Sequence, residues 1–436
     1  MLDLRNKFIK NIILIYGFGK TGKACFNYLK KNNDVLIFDD NKKRIPLKYK
    51  QFIFKKNTQK KFDYIVLSPG INIKKCGLKT FLKRNNNKII TDLDIFYFKN
   101  INNLKITITG TNGKSTTAKL LHEVLKNHKR DVRLIGNIGK PVLLEKRITK
   151  NTEFVIEASS YQLAYSKYFR SDHAMILNIS PDHIERHGNI SNYVNAKLKL
   201  IYLQDNKCFS YIERKNKYLK KILNKKKIRS KIFNVDLDIY KKLEKKIYNQ
   251  YFTNINNMNN LAFIIEFGKK NKLNQKKIID TVNSFTGLKY RQETIFERKE
   301  ARIINDSKST SFSSSLNLLK KYKKIYWLIG GIPKKGDKFN LEKKYFKNID
   351  AYIYGKKKKI FIKSFKNKIS FQTFSSLEQA LQKIYKDVKR NKIINPTILF
   401  SPAAASFDRF KNFEHRGKFF NNLIKKINFT RKICEK

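Results

Sequence analysis

The sequence predicts an α/β chain built mainly on parallel sheets, and three observations carry that prediction. Short apolar runs of strand length recur along the chain and alternate with helix-like runs. Two of these strands open directly into glycine-rich loops, GFGKTG at 17–22 and GTNGKS at 110–115, each followed by a helix-like run. The 436 residues, 41% of them hydrophobic, can bury a core and suggest about two to four domains.

Taken in order, the first segment (about 1–99) opens with strand IILIY (12–16), the loop GFGKTG, the helix-like ACFNYLKK and strand DVLIFDD (34–40). That is a β–glycine loop–α–β unit with an acid at the end of its second strand. Strand DYIVLSPG (63–70) follows and ends in a Pro-Gly loop. The second segment begins with the strand and loop at 104–117 and continues with EFVIEAS (153–159) and HAMILNIS (173–180). A lysine-rich stretch, read as helical, runs from there to about residue 286. The third segment alternates again, with strands at ARIIND (301–306), KIYWLIGG (324–331), AYIYG (351–355), ISFQTF (369–374) and TILFSPAAAS (397–406). Strands alternating with helices predict parallel sheets throughout.

Bulk properties exclude several classes. The apolar runs fall far short of the ~20 residues of a membrane span. The N-terminal MLDLRNKFIKNIILIYGFG lacks the apolar region and cleavage site of a signal peptide, which predicts a cytoplasmic protein. The four cysteines (Cys25, Cys76, Cys208, Cys434) are scattered, as free thiols of a reducing compartment would be, and the six histidines form no HExxH-like cluster. Lys+Arg 96 against Asp+Glu 34 gives +62, which alone suggests nucleic acid. The lysines, however, are spread along the whole chain beside Asn, Ile, Phe and Tyr, residue types with A- and T-rich codons. No nucleic-acid module is spelled out, so nucleic acid is not the expected partner. A basic surface also suits small polyanionic substrates.

The loops carry the chemistry. Gly17-Phe18-Gly19-Lys20-Thr21-Gly22 fits a dinucleotide fingerprint, with Asp39 twenty residues beyond Gly19, where a ribose-binding acid sits. Read alone, it makes a nicotinamide-dependent oxidoreductase the natural rival; a plain strand-to-helix turn is the bland alternative. Gly110-Thr111-Asn112-Gly113-Lys114-Ser115 is shorter than a strict P-loop, since Ile108 stands five positions before Gly113. Its essentials remain: backbone N–H groups for phosphate, Lys114 as a charge on the β/γ oxygens, and Ser115 or Thr116 for magnesium. ATP binding is the expectation. Glu157 and His183 fall at or just beyond the C-terminal ends of two strands of this segment, the edge where parallel sheets bind ligands. Beside a phosphate loop both become candidate metal ligands, although imidazole is a less usual partner for magnesium than carboxylate.

Together, GTNGKSTT, IEASSYQL (156–163), NISPDHIERH (178–187) and NAKLKLIY (195–202) resemble the ATP-dependent Mur ligases, which build the peptide stem of bacterial peptidoglycan. FTGLKYRQE (285–293), INDSKST (304–310) and SPAAASFDRFKNFEHRG (401–417) resemble the branch that adds D-glutamate to UDP-N-acetylmuramoyl-L-alanine. The resemblance implies three domains: a Rossmann-like nucleotide-sugar domain (1–99), a central P-loop ATPase-like domain with a mainly parallel sheet (100–286), and a C-terminal Rossmann-like domain for the amino acid (287–436). It implies that Gly19, Lys20, Thr21, Asp39, Asp40, Ser68, Pro69 and Gly70 hold the uridine diphosphate moiety. Gly110, Thr111, Asn112, Gly113, Lys114, Ser115 and Thr116 would hold ATP. Ser115, Glu157, His183 and Lys197 would hold two magnesium ions, Lys197 as a carbamate. Asn137 would touch the acceptor, and Asn257 and Asn260 would face adenine. Arg291 and Asp306 would serve phosphate and ribose, while Lys308, Thr310, Lys334, Ser406 and Phe413 would form the amino-acid side. Lys114, Lys197 and His183 are the catalytic candidates, and the enzyme is expected to be a monomer. The chain departs from the family at Asn256 and Tyr290, where the family carries histidines, and at Ala404, where it carries cysteine. Lys335, next to Lys334, is the alternative amino-acid contact. A related amino-acid ligase, such as another Mur ligase or a folylpolyglutamate synthase, is the nearest competing reading.

Overall fold

A computed structural model of the chain describes residues 4–55, 60–213, 215–219, 227–253, 255–334, 336–391 and 393–427. Lys335 and Cys434 lie outside the described residues. The chain is α/β and forms two compact units, Met1–Thr286 and Gly287–Lys436.

The first unit starts with β1 (Ile12–Tyr16), whose run of apolar side chains is buried on both faces, as a parallel strand's must be. With β2 (Asp34–Phe38), β3 (Tyr64–Leu67) and β4 (Ile89–Ile90) it makes a parallel sheet of order β2-β1-β3-β4. The helix Lys20–Leu29 is the crossover from β1 to β2. Its first turn packs against the preceding loop so closely that a Cβ on Gly22 would lie 1.9 Å from the Gly17 carbonyl oxygen. No side chain fits there.

The second sheet contains β5 (Lys105–Thr109), β6 (Val132–Gly136), β7 (Glu153–Glu157), β8 (His173–Ile176), β9 (Phe209–Glu213) and β10 (Lys231–Val235). All its pairs are parallel, in the order β10-β9-β8-β5-β7-β6. The expectation that the lysine-rich stretch is helical holds for the helices Ile190–Tyr202, Ile255–Lys270 and Gln275–Ser284 but fails at β9 and β10, which extend the sheet to its edge. The edge strand β10, KIFNV, buries only Val235, so solvent-facing lysine and asparagine dilute the apolar signal a strand would show. The first two sheets share one core. Ile13 and Val66 of the first, Phe96 of the helix Asp92–Lys99, and Phe154 and Ile156 of the second belong to one buried cluster. Phe96 and Phe154 meet edge to face at 4.9 Å. Asp94 pins the junction by accepting from the Ser166 hydroxyl and the backbone N–H groups of Lys167, Tyr168 and Phe169.

The second unit holds β11 (Glu293–Arg298), β12 (Ala301–Asn305), β13 (Ile325–Gly330), β14 (Ile349–Tyr354), β15 (Ser370–Phe374) and β16 (Thr397–Phe400), in the order β11-β12-β16-β13-β14-β15. The expectation of parallel pairing throughout fails at β11, which runs antiparallel to β12. Only Lys299 and Glu300 separate them, and a two-residue connection can make a hairpin but not a crossover. Helices cover both faces of this sheet. Phe312, Leu318, Phe361 and Phe365 pack on one side, and Leu377, Ile384, Phe420 and Ile424 on the other. Among the described residues no helix is long and apolar enough to cross a membrane.

Candidate active site

The loop Gly110–Gly113 leaves β5, a central strand flanked by β7 and β8, and feeds the helix Lys114–Asn127. Gly113 caps that helix at φ +83, a left-handed conformation, and a Cβ there would lie 2.1 Å from Oδ1 of Asn260. Asn260 therefore underlies the phosphate loop. Asn178 clamps the loop from β8's side. Its carbonyl accepts from Thr111 N at 2.9 Å, and its Oδ1 accepts from Asn112 N at 2.8 Å. Thr111 Oγ1 accepts from Ser180 N at 3.1 Å and lies 2.9 Å from the Tyr193 hydroxyl. The motif segments containing Asn178 and Tyr193 are legible in the sequence, but nothing in the pattern assigns these two side chains to bracing the loop. Ser115 and Thr116 are buried in the first helical turn, where the N–H groups and dipole favour an anion.

Two lysines converge on this loop. Lys114 Nζ donates to the carbonyls of Gly110 and Thr111, both at 2.8 Å, and Lys197 Nζ donates to Gly110 O at 2.7 Å. Lys197 is 1% exposed, and its ammonium also faces the Tyr193 ring at 4.7 Å. Burial, then the Lys114 charge, pushes the Lys197 pKa well below the lysine range, against the pull of Asp182 and Glu157. Glu157 ends β7 and is 1% exposed. Its Oε1 accepts from Asn137 Nδ2 at 2.7 Å, while its buried Oε2 has no hydrogen-bond partner. An orphaned carboxylate oxygen beside a phosphate loop is chemically suited to a hard divalent cation. Among the described residues no three His, Cys, Asp or Glu groups gather as a metal cluster. Magnesium usually takes one or two carboxylates, waters and substrate phosphates, so Glu157 fits it without such a cage.

His183 has a left-handed backbone at φ +53 and caps the short helix Ile184–His187. Its Nε2 lies 3.4 Å from Asp182, and its ring is 5.0 Å from that of Tyr161. His187 stacks on the other reach of Tyr161 at 5.7 Å and contacts Ser160 Oγ at 3.0 Å. Burial, then the neighbouring His183, Lys197 and Arg186, lowers its pKa to about 4, so it is neutral at pH 7. Asn257 donates to the Tyr251 carbonyl at 2.8 Å, in the segment that also brings Tyr251 OH to 3.4 Å from Thr116.

In the first sheet, the acids shape the glycine loop. Asp39 is buried and accepts from Phe18 N at 2.7 Å and Asn41 N at 2.9 Å. Asp40 accepts from the Tyr16 hydroxyl and from Gly77 N. Ser68, at the end of β3, donates to the Gly17 carbonyl at 2.7 Å and so joins the 68–70 loop to Gly17–Gly19. Lys20 is exposed and Thr21 half-buried at the start of the helix.

In the second unit, Asp306 follows β12 and Ser401 follows the adjacent β16. Asp306 accepts from Ser401 Oγ at 2.8 Å and from Gln292 N at 3.1 Å, and burial raises its carboxyl pKa to about 7 against those bonds. Lys308 donates its backbone N–H to Tyr290 O, and its ammonium lies 4.2 Å from the Phe413 ring, with the Arg291 guanidinium at 6.0 Å. A reciprocal pair of backbone bonds between Ile332 and Ala405 brings the strand leading to exposed Lys334 beside the one leading to buried Ser406. Thr310 is half-buried. This edge thus gathers Arg291, Asp306, Lys308 and Phe413 in one group, and the Lys334 and Ser406 segments in another. The buried Arg416, which sequence reasoning passed over, binds Ser307 through its side-chain hydroxyl at 3.1 Å and its carbonyl at 2.7 Å.

Residues 108–274 match the Mur ligase middle domain family. The chain is 33% identical to a UDP-N-acetylmuramoylalanine–D-glutamate ligase of Rickettsia felis, over 97% of this chain and 98% of that one. It is 34% identical to the enzyme of that name from Rickettsia prowazekii, over 97% and 99%. Among solved structures, MurC of Thermotoga maritima shares the fold at TM-score 0.54 and 16% identity, covering 95% of this chain and 99% of that one. MurF of the same organism, solved in complex with ADP, matches at TM-score 0.54 and 16% identity over 98% and 100%.

Proposed function

The chain belongs to the UDP-N-acetylmuramoylalanine–D-glutamate ligase family of ATP-dependent Mur ligases in peptidoglycan precursor synthesis, and from that premise we propose that it joins D-glutamate to UDP-N-acetylmuramoyl-L-alanine through an acyl phosphate. Residues 1–99 bind the nucleotide sugar, 100–286 bind ATP, and 287–436 bind the amino acid. The observation that carries this reading is that Lys114 and Lys197 both bond the Gly110 carbonyl of one glycine loop, while the orphaned Glu157 oxygen sits at the end of β7, the strand paired with the one that leads into it. Charges of both signs around a loop rich in N–H groups suit a triphosphate with its cation.

A carboxylate resists attack by an amine because its oxide is no leaving group. The acceptor's alanyl carboxylate oxygen therefore attacks the γ-phosphorus of ATP; the bond to the β–γ bridging oxygen breaks, and ADP departs. The amine of D-glutamate then attacks the acyl carbon, loses a proton, and the C–O bond to phosphate breaks. Lys114 leaves the loop carbonyls to meet the γ-phosphoryl oxygens, where charge redistributes in the transition state. The loop N–H groups orient the phosphates, and Asn137 holds Glu157 in place. Ser115, Glu157, His183 and Lys197 would hold magnesium, which would neutralise phosphate charge. A lysine ammonium would repel that cation. Burial lowers the Lys197 pKa and so favours the neutral amine, which would add to CO₂, forming an N–C bond and releasing a proton. The resulting carbamate presents negative oxygens in place of a positive nitrogen. Asn257 and Asn260 would face adenine, and Arg291 and Asp306 would serve the nucleotide's phosphate and ribose. Lys308, Thr310, Lys334, Ser406 and Phe413 receive the amino acid, Lys334 by a charge-assisted hydrogen bond to its side-chain carboxylate.

A coupled phosphate-release assay tests the reading. Release should require both UDP-N-acetylmuramoyl-L-alanine and D-glutamate, and nucleic acid should not replace either. Lys334→Ala should raise KM for D-glutamate far more than KM for the nucleotide sugar. A wild-type enzyme preferring L-glutamate or meso-diaminopimelate would overturn the substrate assignment.

A further inference from the structure

Arg186 has no role in the chemistry above, yet it touches both halves of the first unit. Its guanidinium NH2 donates to the carbonyl of Ile71 and, at 3.4 Å, to that of Pro69. It also lies over the face of Tyr161, 5.0 Å from the ring centroid. Tyr161 in turn packs on the rings of His183 and His187. Arg186 also belongs to the four-residue helix that His183 caps, with its own N–H donating to the His183 carbonyl at 3.0 Å. On the other side, the 68–71 loop is packed on the first glycine loop. A Cβ on Gly17 would lie 2.7 Å from Ser68 Cβ and 2.9 Å from Ile71 Cγ1. A continuous line of contacts therefore runs from Gly17 through Ser68 and Ile71 to Arg186, and from Arg186 to His183.

We infer that Arg186 is a positioning residue that makes the geometry of the His183 turn depend on occupancy of the 68–71 loop, so that acceptor and magnesium–nucleotide bind cooperatively. This rests on the proposed assignment of the first glycine loop to the nucleotide sugar. The physical reason lies in the turn itself. His183 adopts a left-handed backbone unfavourable for a residue with a Cβ, and only four helical residues follow it. Such a turn holds its shape through outside contacts, and the planar guanidinium supplies two at once, carbonyls at its edge and an aromatic ring on its face. When the acceptor's phosphates or sugar settle on the 68–70 loop, the Pro69 and Ile71 carbonyls are held in the position that Arg186 needs. A lysine at 186 would keep the charge but could not span both carbonyls and stack on the ring.

Calorimetric titration of the full-length protein tests this without turnover, using magnesium with a non-hydrolysable β,γ-methylene ATP analogue and UDP-N-acetylmuramoyl-L-alanine. In the wild type, saturating nucleotide sugar should tighten binding of the analogue by about fivefold or more. In Arg186→Ala the tightening should fall below about twofold, while each ligand alone binds within about threefold of wild type. Arg186→Lys should also lose it, and carries the test if the alanine variant fails to fold. Tyr161→Leu, which removes the ring but leaves the carbonyl bonds, should lose part of the coupling. The inference is overturned if the wild type binds both ligands without coupling. It is equally overturned if foldable Arg186 variants keep wild-type coupling, or lose only their affinity for the nucleotide sugar. A wild type that does not bind the nucleotide sugar at all would instead overturn the acceptor assignment on which the inference stands.

Discussion

Two lysines show how the same side chain acquires different chemistry from its surroundings. Lys114 is the first residue of its helix and bonds the carbonyls of its own loop, a position from which a flexible stem can swing to a phosphate. Lys114→Ala should lower kcat by on the order of 100-fold, with little change in thermal midpoint, because the charge acts on the transition state rather than on packing. Activity within a few-fold of wild type would mean that this loop is not the ATP site. Lys197 is buried instead, and its suppressed ammonium form makes it the candidate for carbamate formation. Activity should fall in CO₂-free buffer and return with bicarbonate. Lys197→Arg, which cannot form this carbamate, should be nearly inactive; an active arginine variant would refute the carbamate. Both lysines are legible in the sequence from their motifs. The burial that distinguishes Lys197 from the other lysines of this chain is not, because no local pattern marks it.

At the scale of elements, parallel strands deliver their C-terminal ends to a common edge, and Asp306 and Ser401 meet because β12 and β16 are neighbours there. They are 95 residues apart in the chain, so their pairing is invisible until the sheet order is known. The pairing has a measurable consequence. Burial raises the Asp306 pKa to about 7 in the folded chain, against about 3.9 when unfolded. Between those values the folded state binds more protons, so this group's contribution is fully present below about pH 4. It is lost as pH rises through about 7, with a slope of up to about 1.4 kcal/mol per pH unit. Asp306→Asn retains an acceptor for Gln292 N and should flatten that part of the profile in urea unfolding between pH 4 and 8. An unchanged slope would show that the carboxyl does not titrate across this window. Elements with strong apolar runs, such as β1 and β13, are plain in the sequence, whereas the edge strands β10 and β11 are not. Edge strands need cover on fewer sides and so carry mixed polar sequences.

For the whole molecule, the packing of the core decides what can fold alone. The shared cluster of Ile13, Phe96, Phe154 and Ile156 means that the first sheet lacks part of its core without the second. A chain ending after residue 99 should therefore fail to give a cooperative unfolding transition, whereas residues 1–286 should fold and bind the nucleotide sugar. Far-ultraviolet dichroism with thermal melting checks both, and a cooperative 1–99 fragment would show that the shared cluster is dispensable. The net charge of +62 acts at this scale as well. It raises the local concentration of anionic nucleotide substrates, an effect that added salt screens over about 10 Å at 0.1 M.

The sequence by itself determined the α/β class, the two glycine loops and the family resemblance, because apolar period, glycine placement and contiguous motifs are local properties of the chain. Tertiary structure decided the rest. It placed Asn260 beneath Gly113, left one oxygen of Glu157 without a partner, buried Lys197 against Gly110, and stretched Arg186 from the 68–71 loop to the His183 turn. Each of these depends on which strands lie side by side and which surfaces lose water. Sheet order and burial arise from contacts between residues distant in the chain, and a run of neighbouring residues does not encode them.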